Sequence, residues 1–173
     1  MTLYVFRHPK ARGAAGRCIG HTDLPVDPRK AKNLAHRIRT LQRRAGLPRA
    51  VCTSDLQRAA AVGRWLRRWG WVHRVDGGLS ELDFGAWDGC DWTQIPQTEV
   101  DAWCADFLHG RPGGGECLAE LLARVAAWQG AGLVVSHGGW LSARRWLAEQ
   151  GGAPPHSAVW PAPPRHGQLT CFS

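Results

Sequence analysis

The stretch Leu3-Tyr4-Val5-Phe6-Arg7-His8-Pro9 decides the fold prediction, because a short run of strand-forming residues ends abruptly in two polar residues and a proline. An unbroken apolar run of this kind is typical of a buried parallel strand. Pro9 cannot donate to a strand ladder and favours an extended His8, so we expect the strand to end here. Open α/β sheets bind ligands at the carboxyl ends of their strands, which places Arg7 and His8 at a candidate site. An imidazole can be a nucleophile and a guanidinium can hold a phosphate, although a chance pair at a strand end is the alternative interpretation.

The length and composition of the chain fit one soluble domain. With 173 residues, 44% of them hydrophobic and 21% charged, we predict a single domain over residues 1–173. The six cysteines include no C-x-x-C pair, which argues against a zinc site and fits reduced thiols. No signal-peptide pattern and no 18-residue apolar run occur, so we expect a cytoplasmic protein without a membrane partner.

The charge balance is strongly basic, with 22 Lys and Arg residues against 14 Asp and Glu residues and a net charge of +8. Such a surplus suits a nucleic acid or a small anionic substrate. Seven of the arginines fall on two predicted helices, where a solvated face is the default interpretation: Arg37, Arg39, Arg43, Arg44, Arg64, Arg67 and Arg68. Since no basic tail or nucleic-acid module is present, we do not expect nucleic-acid binding as the main function.

Hydrophobic periodicity predicts strands that alternate with helices. Asp27-Pro28 indicates a helix start, Gly46 marks its end, and Ser54-Asp55 is expected to cap the next helix. Besides the first strand, strands are predicted at 50–53, 71–75, 133–136 and 168–172. Helices are predicted at 28–45, from the Ser54-Asp55 cap to about residue 69, and at 100–108, 118–128 and 140–149. The segment 79–91 has no clean period and is expected to be a loop. This alternation predicts an α/β fold, a three-layer α/β/α sandwich with a mostly parallel central sheet.

Three predicted strands end in polar residues that suit an anion. The first ends in Arg7-His8, the second in Thr53-Ser54 with Arg58 one helical turn later, and the fourth in Ser136-His137-Gly138. The ends of parallel strands face one crevice, and the amino end of the helix that carries Arg58 itself favours anions. A phosphate group is the natural occupant of such a site.

Five blocks in order along the chain resemble the histidine phosphatase superfamily, also called the phosphoglycerate mutase-like fold. They are Arg7-His8, S-D-L-Q-R-A at 54–59, E-L-D-F-G-A-W-D-G at 81–89, P-G-G-G-E at 112–116 and V-V-S-H-G-G at 134–139. The stretch G-R-C-I-G-H-T-D-L-P-V at 16–26, together with the short length, looks most like the α-ribazole phosphatase branch of cobalamin synthesis.

The resemblance implies a role for each matching residue. His8 matches the nucleophile that becomes phosphohistidine, while Arg7, Arg58 and His137 match the cations that bind the phosphate. Glu81 matches the general acid that protonates the leaving oxygen and then activates water. An enzyme of this kind needs no metal and no cofactor, because several fixed cations surround the phosphoryl oxygens. His8 must attack as neutral imidazole, whereas His137 serves best when protonated.

Other residues carry weaker expectations. Arg17, His21, Trp87 and Gly138 are candidate substrate contacts, although packing is the alternative for Trp87 and a solvated loop for Arg17 and His21. Pro9 stands where the family usually has glycine; its carbonyl can still accept from the ring of His8. The glycine-rich block that ends in Glu116 is expected to cap the following helix.

The expected substrate is a small phosphorylated molecule, α-ribazole 5′-phosphate or cobalamin 5′-phosphate. A broad-specificity phosphatase, a phosphoglycerate-type mutase and a non-catalytic phosphate binder are the alternatives.

Overall fold

The computed structural model describes residues 2–154 and 156–173, so Met1 and Pro155 lie outside the described residues. The strands are β1 (Leu3–Arg7), β2 (Ala50–Thr53), β3 (Val72–Val75), β4 (Gly132–Ser136) and β5 (Leu169–Phe172). The helices are α1 (Pro28–Ala45), α2 (Gln57–Arg68), α3 (Gln97–Ala105), α4 (Leu118–Ala127) and α5 (Gly138–Glu149). Single 3₁₀ turns interrupt the loops, including Gly77–Leu79, Gly85–Trp87 and Pro112–Gly114.

The sheet has the order β3-β2-β4-β1-β5, in which the first four strands along the chain are parallel and β5 pairs antiparallel with β1. Successive side chains of a strand point to opposite faces. Accordingly Val134 packs with α4 and α5 on one face, whereas Leu133 and Val135 pack with α1 and α2 on the other. The predicted mixed α/β fold with a mostly parallel central sheet is therefore confirmed.

The start of α1 follows the sequence prediction. Asp27 is the N-cap and its carboxylate accepts from the backbone N–H of Arg29, while Gly46 closes the helix with a positive φ of 62°. A left-handed residue at this position is the usual glycine terminator of a helix.

The start of α2 corrects the sequence prediction, because neither Ser54 nor Asp55 caps the helix. The N-cap is Leu56, which makes no side-chain cap bond, and the N–H of Gln57 instead donates to Asp23 at 2.6 Å. A cap from a residue 34 positions earlier depends on tertiary contact. The hydroxyl of Ser54 is occupied elsewhere, by the ring of His137.

Two further boundaries differ from expectation. The helix predicted at 100–108 lies at 97–105, because Pro96 precedes its first turn and Asp106 ends it. Glu116 does not cap α4: its carboxylate pairs with Arg124 at 2.8 Å, and Glu120 accepts from the N–H of Cys117 instead. The glycine block thus shapes the approach to the helix without capping it.

The arginines of α1 and α2 lie mostly exposed, as a solvated face would. Some of them stack on tryptophan rings, with Arg39 at 4.9 Å from Trp69 and Arg68 at 4.8 Å from Trp65. No helix within the described residues is both long enough and apolar enough to cross a membrane.

Candidate active site

The ends of three neighbouring strands meet at one edge of the sheet. Arg7 of β1 is in register with Ser136 of β4, and the N–H of His8 donates to the Ser136 carbonyl at 3.0 Å. On the other side of β4, the N–H of Ser54 donates to the Val135 carbonyl at 3.4 Å. The parallel pairing thus brings the three polar strand ends together, as the sequence predicts.

A cavity of about 480 Å³ opens at this edge. It brings together six of the sequence-predicted residues: Arg7, His8, Arg17, Arg58, Glu81 and Gly138. His166 and Gly139, which sequence reasoning did not assign, also line it. His137 lies directly behind His8, with ring centroids 4.9 Å apart.

His8 is only 5% exposed, and its backbone neighbour fixes its tautomer. Its Nδ1 lies 2.7 Å from the carbonyl oxygen of Pro9, which can only accept, so Nδ1 carries the hydrogen and Nε2 keeps its lone pair. Pro9 therefore supplies the carbonyl acceptor expected of it. Burial, followed by the nearby Arg58 and Arg7 charges, lowers the pKa of His8 well below its ordinary value.

His137 is fully buried as the N-cap of α5, and its Nε2 lies 2.6 Å from the hydroxyl of Ser54. Its Nδ1 has no hydrogen-bond partner within the described residues. Burial, then His8 and the two arginines, lowers the pKa of His137 well below its usual range. Both shifts favour the neutral form of each ring, so the protonated His137 of the sequence prediction requires an anion beside it. A bound dianion would supply the opposite charge that favours protonation.

Arg58 is 1% exposed, and backbone carbonyl groups hold its guanidinium. It donates to the carbonyl oxygens of Gly20 and of Thr22, the latter at 2.9 Å. The carboxylate of Asp88 in turn accepts from the N–H groups of Gly20 at 3.1 Å and of Thr22 at 2.8 Å. Asp88 thus fixes the loop that positions Arg58. Sequence reasoning gave Asp88 no role, although it lies inside a recognised block.

Arg7 is held from the opposite end of the chain. Its Nη1 donates to the carbonyl of Pro164 at 2.7 Å, and its buried Nε has no partner in the described part of the chain. The proline-rich tail that follows α5 therefore forms one wall of the cavity, with Trp160 and Pro163 in its lining.

Glu81 is 8% exposed and is held by backbone donors on both sides. Its Oε1 accepts from the N–H of Leu82 at 3.0 Å and from the N–H of Gly139 at 2.9 Å. A Cβ at position 139 would overlap this carboxylate, so any larger residue there would displace the Glu81 side chain. Behind the loop, Arg124 donates to the Ser80 carbonyl at 2.8 Å and keeps the loop in place.

Trp87 and His21 do not line the cavity. Trp87 is 5% exposed, donates from its indole to Glu99 at 2.8 Å and packs edge-on against Trp103. The ring of His21 lies 2.9 Å from the Glu81 carbonyl, where it supports the loop. The aromatic face expected from Trp87 therefore comes from other residues.

Five aromatic side chains line the cavity, and each contacts the next to form a continuous row. We call this row the aromatic wall; in spatial order it consists of Trp92, Phe84, Trp103, Phe107 and Trp160. Consecutive ring centroids lie between 5.8 and 6.1 Å apart. Trp103 and Phe107 both fall within the helix predicted at 100–108. Trp103 of α3 and Phe107, just beyond its end, are half-buried: they pack against the core on one side and line the cavity on the other. Large aromatic residues at helical spacing in this segment were the signal that could have indicated the wall.

Metal-ligand spacing is absent from the part of the chain that the structure describes, where no three His, Cys, Asp or Glu side chains gather to hold an ion.

The fold and the cavity define an α/β protein with a cationic anion site at its strand ends. The family model of the Histidine phosphatase superfamily (branch 1) matches residues 3–158, and the chain belongs to this family. No curated protein matches the chain.

Several solved structures are similar over 99% of this chain, each with 27% identity. The protein TTHB049 from Thermus thermophilus has a TM-score of 0.69 and is covered over 92% of its own chain. The mycobacterial glucosyl-3-phosphoglycerate phosphatase Rv2419c has a TM-score of 0.73 in its native structure and 0.75 in its complex with VO3, with 89% and 90% of that chain covered. These similarities confirm the phosphoglycerate mutase-like fold.

Proposed function

We propose that this protein hydrolyses phosphomonoesters through a phosphohistidine at His8, without a metal ion. One observation carries the proposal: the buried His8, whose Nε2 makes no hydrogen bond to the described residues, shares its cavity with Arg7 and Arg58. Neither Arg7 nor Arg58 forms an ion pair within residues 2–154 and 156–173, so their charge is left for an anionic group. Membership of the histidine phosphatase superfamily supports the same reaction class.

The proposed first step is attack of His8 Nε2 on phosphorus. The ester P–O bond breaks, and Glu81 acts as the general acid that gives a proton to the leaving oxygen. In the second step the Glu81 carboxylate takes a proton from water, the resulting hydroxide attacks phosphorus and the P–N bond breaks. Phosphate leaves and both side chains return to their starting states. Throughout, Arg7, Arg58 and His137 stabilise the charge on the phosphoryl oxygens.

The lowered pKa of His8 supports its role as the nucleophile of the first step, since the neutral form of the ring, which is the form that attacks, is favoured near pH 7. The hydrogen bond from Nδ1 to the Pro9 carbonyl keeps the attacking nitrogen at Nε2. After transfer, the two arginines and a protonated His137 balance the charge of the phosphoryl group.

The test of the mechanism is to trap the covalent intermediate. Rapid quenching after incubation with a labelled phosphomonoester is expected to yield an alkali-stable, acid-labile phosphohistidine. His8→Ala is expected to abolish both the label and turnover, while His109→Ala, at an exposed histidine outside the cavity, keeps both. Label that persists in His8→Ala, or activity lost to a chelator, would contradict the mechanism.

We further propose α-ribazole 5′-phosphate, or the cobalamin 5′-phosphate that contains it, as the substrate. The aromatic wall offers flat apolar faces to a heterocycle beside the phosphate site. The cavity of about 480 Å³ lies within the ~300–1,000 Å³ range of small-molecule sites. Arg17, whose Nε donates to the Gly89 carbonyl at 2.8 Å, lines the same cavity and is the residue we expect to contact the ribose. A phosphoglycerate would leave the wall unused.

The substrate test compares kcat/KM for α-ribazole 5′-phosphate, ribose 5-phosphate and phosphoglycerates. A base stacked on aromatic rings is expected to improve kcat/KM over ribose 5-phosphate by roughly 5- to 150-fold, the equivalent of about 1–3 kcal/mol. Trp92→Leu, at a 42% exposed position of the wall, is expected to lose this preference without loss of ribose 5-phosphate turnover. Trp65→Leu on α2 is the control. Equal efficiency on both substrates would instead indicate a broad-specificity phosphatase.

A further inference from the structure

His166 lies beside the candidate nucleophile although no role has been assigned to it. Its ring centroid is 5.2 Å from that of His8, and it lines the same cavity as Arg7 and Arg58. It also falls outside residues 3–158, the part of the chain that the family model matches. The residue therefore belongs to the site by its position, although it lies beyond the part of the chain that the family model matches.

A tight turn fixes the position of His166. The N–H of Gln168 donates to the Arg165 carbonyl at 2.9 Å, and Gly167 between them has a positive φ of 73°. A glycine with positive φ in the third position is the mark of a type II turn. Backbone bonds tie this turn to Arg7, from Gly167 N–H to the Arg7 carbonyl at 2.9 Å and from Arg7 N–H to the Gln168 carbonyl at 3.0 Å. Since β1 and β5 hold the turn, the backbone of His166 is fixed beside His8, whereas its side chain is exposed on one side.

One ring nitrogen of His166 is already used. Its Nδ1 lies 3.3 Å from the carbonyl oxygen of His8, which can only accept, so Nδ1 carries a hydrogen. Nε2 makes no hydrogen bond to the protein within the described residues. In the neutral ring Nε2 accepts a hydrogen bond, and in the protonated ring it donates one.

The groups that face His166 are mostly cationic. Arg7, Lys10 and Arg58 lie close enough that they, after burial itself, lower the pKa of the ring. Arg37 and Arg165 lie along its outer side, His8 lies against its ring, and Glu81 shares the cavity. Such surroundings favour an anion next to the ring, because its negative charge attracts the surrounding cations and offsets their mutual repulsion.

We propose that His166 binds the phosphoryl group directly, through a hydrogen bond between its Nε2 and a phosphoryl oxygen. With a phosphate monoanion the P–OH group donates to Nε2, and with a dianion the protonated ring donates from Nε2 to a P–O oxygen. Both forms contain the same atoms and the same proton. The inference rests on the proposed function, because it concerns the same phosphate site.

Two substitutions separate this role from a structural one. Asparagine can place an amide N–H near the position of Nδ1 and so keep the bond to the His8 carbonyl. Glutamine can place an amide near the position of Nε2. His166→Asn is therefore expected to weaken inhibition by vanadate roughly 10-fold or more, the usual effect of losing a charge-assisted hydrogen bond, whereas His166→Gln stays closer to wild type. His109→Asn and His109→Gln, at an exposed histidine outside the cavity, are the matched controls.

A spectroscopic readout accompanies the inhibition constants. In protein labelled with ¹⁵N-histidine, inorganic phosphate is expected to shift the Nε2 resonance that His166→Asn removes. Unchanged vanadate inhibition in His166→Asn, equal losses in the two variants, or an unmoved resonance would each overturn the proposal. If the wild-type protein neither bound vanadate nor turned over, the proposed function itself would fail. Wild-type turnover with the wrong ranking of variants would contradict the role of His166 alone.

Discussion

At the scale of single residues, backbone carbonyl groups hold the guanidinium groups of Arg7 and Arg58, and no carboxylate among the described residues forms an ion pair with either. Arg7 donates to Pro164, and Arg58 donates to Gly20 and Thr22. A carbonyl dipole orients a guanidinium without neutralising it, whereas an ion pair would cancel much of its charge. The site therefore keeps its positive charge while its geometry stays fixed, which is what a phosphoryl site requires.

Glu81 provides a residue-scale test of proton transfer. Glu81→Gln keeps an oxygen that can accept from Leu82 and Gly139 but cannot give up a proton to a leaving group. We expect a loss of about 10²–10⁴ in kcat with an alkyl phosphate and a far smaller loss with p-nitrophenyl phosphate, whose leaving group needs no proton. Steady-state kinetics on both substrates measure this difference. Glu149→Gln, at the exposed end of α5, is the control, and equal losses on both substrates would rule out Glu81 as the acid.

At the scale of structural elements, two loops interlock through glycines. Atoms added at Gly113 and Gly115 would overlap the carbonyl oxygens of Phe84 and Asp83, so the two backbones pack without side chains between them. The N–H of Glu116 donates across this contact to the Asp83 carbonyl at 2.8 Å. The P-G-G-G-E block thus supports the loop that carries Glu81 and Phe84.

Gly115→Ala tests this contact, and its φ of −82° leaves overlap as the only obstacle. We expect a loss of roughly 1–3 kcal/mol in the free energy of unfolding, the usual range for overpacking, together with reduced turnover. Urea unfolding measures the first effect. Gly77→Ala, where an added Cβ meets nothing and φ is not positive, is the control. A Gly115→Ala variant as stable as Gly77→Ala would show that the loops separate at little cost.

At the scale of the whole molecule, a cationic site lies over two packed cores, one on each face of the sheet. Burial and the neighbouring arginines lower the pKa values of His8 and His137 well below that of an unfolded histidine. Below about pH 6.5 the unfolded chain therefore binds more protons than the folded chain. The free energy of unfolding is therefore highest above that pH, where both histidines are neutral in the folded and unfolded chain, and it decreases as the pH falls.

We expect the free energy of unfolding to fall on acidification from about pH 7.5 to about pH 5.5 in a phosphate-free buffer. Each of the two histidines contributes up to about 1.4 kcal/mol per pH unit below its unfolded pKa. His8→Gln removes one titrating group and is expected to flatten the dependence, while His109→Gln leaves it unchanged. Urea titrations at several pH values measure the slopes. Identical slopes for wild type and His8→Gln would mean that His8 is protonated in the folded protein.

Local sequence determined the alternation of strands and helices and the residues at the strand ends. Apolar runs and helix-terminating glycines are read within a few positions, so the order of elements and the convergence of Arg7, His8, Arg58 and His137 could be predicted, while the resemblance to the family supplied Glu81. The five sequence blocks, which occur in the same order as in the family, added the resemblance to the histidine phosphatase superfamily.

Only the tertiary structure decided the contacts between distant segments. The cap of α2 by Asp23, the Pro164 carbonyl on Arg7, the aromatic wall and the place of His166 all join segments that are far apart in sequence. Trp87 and Phe84 lie three residues apart in one block, yet one is buried and the other lines the cavity. Hydrophobicity predicts that such residues leave water, but the packing of other segments against them decides which surface they cover.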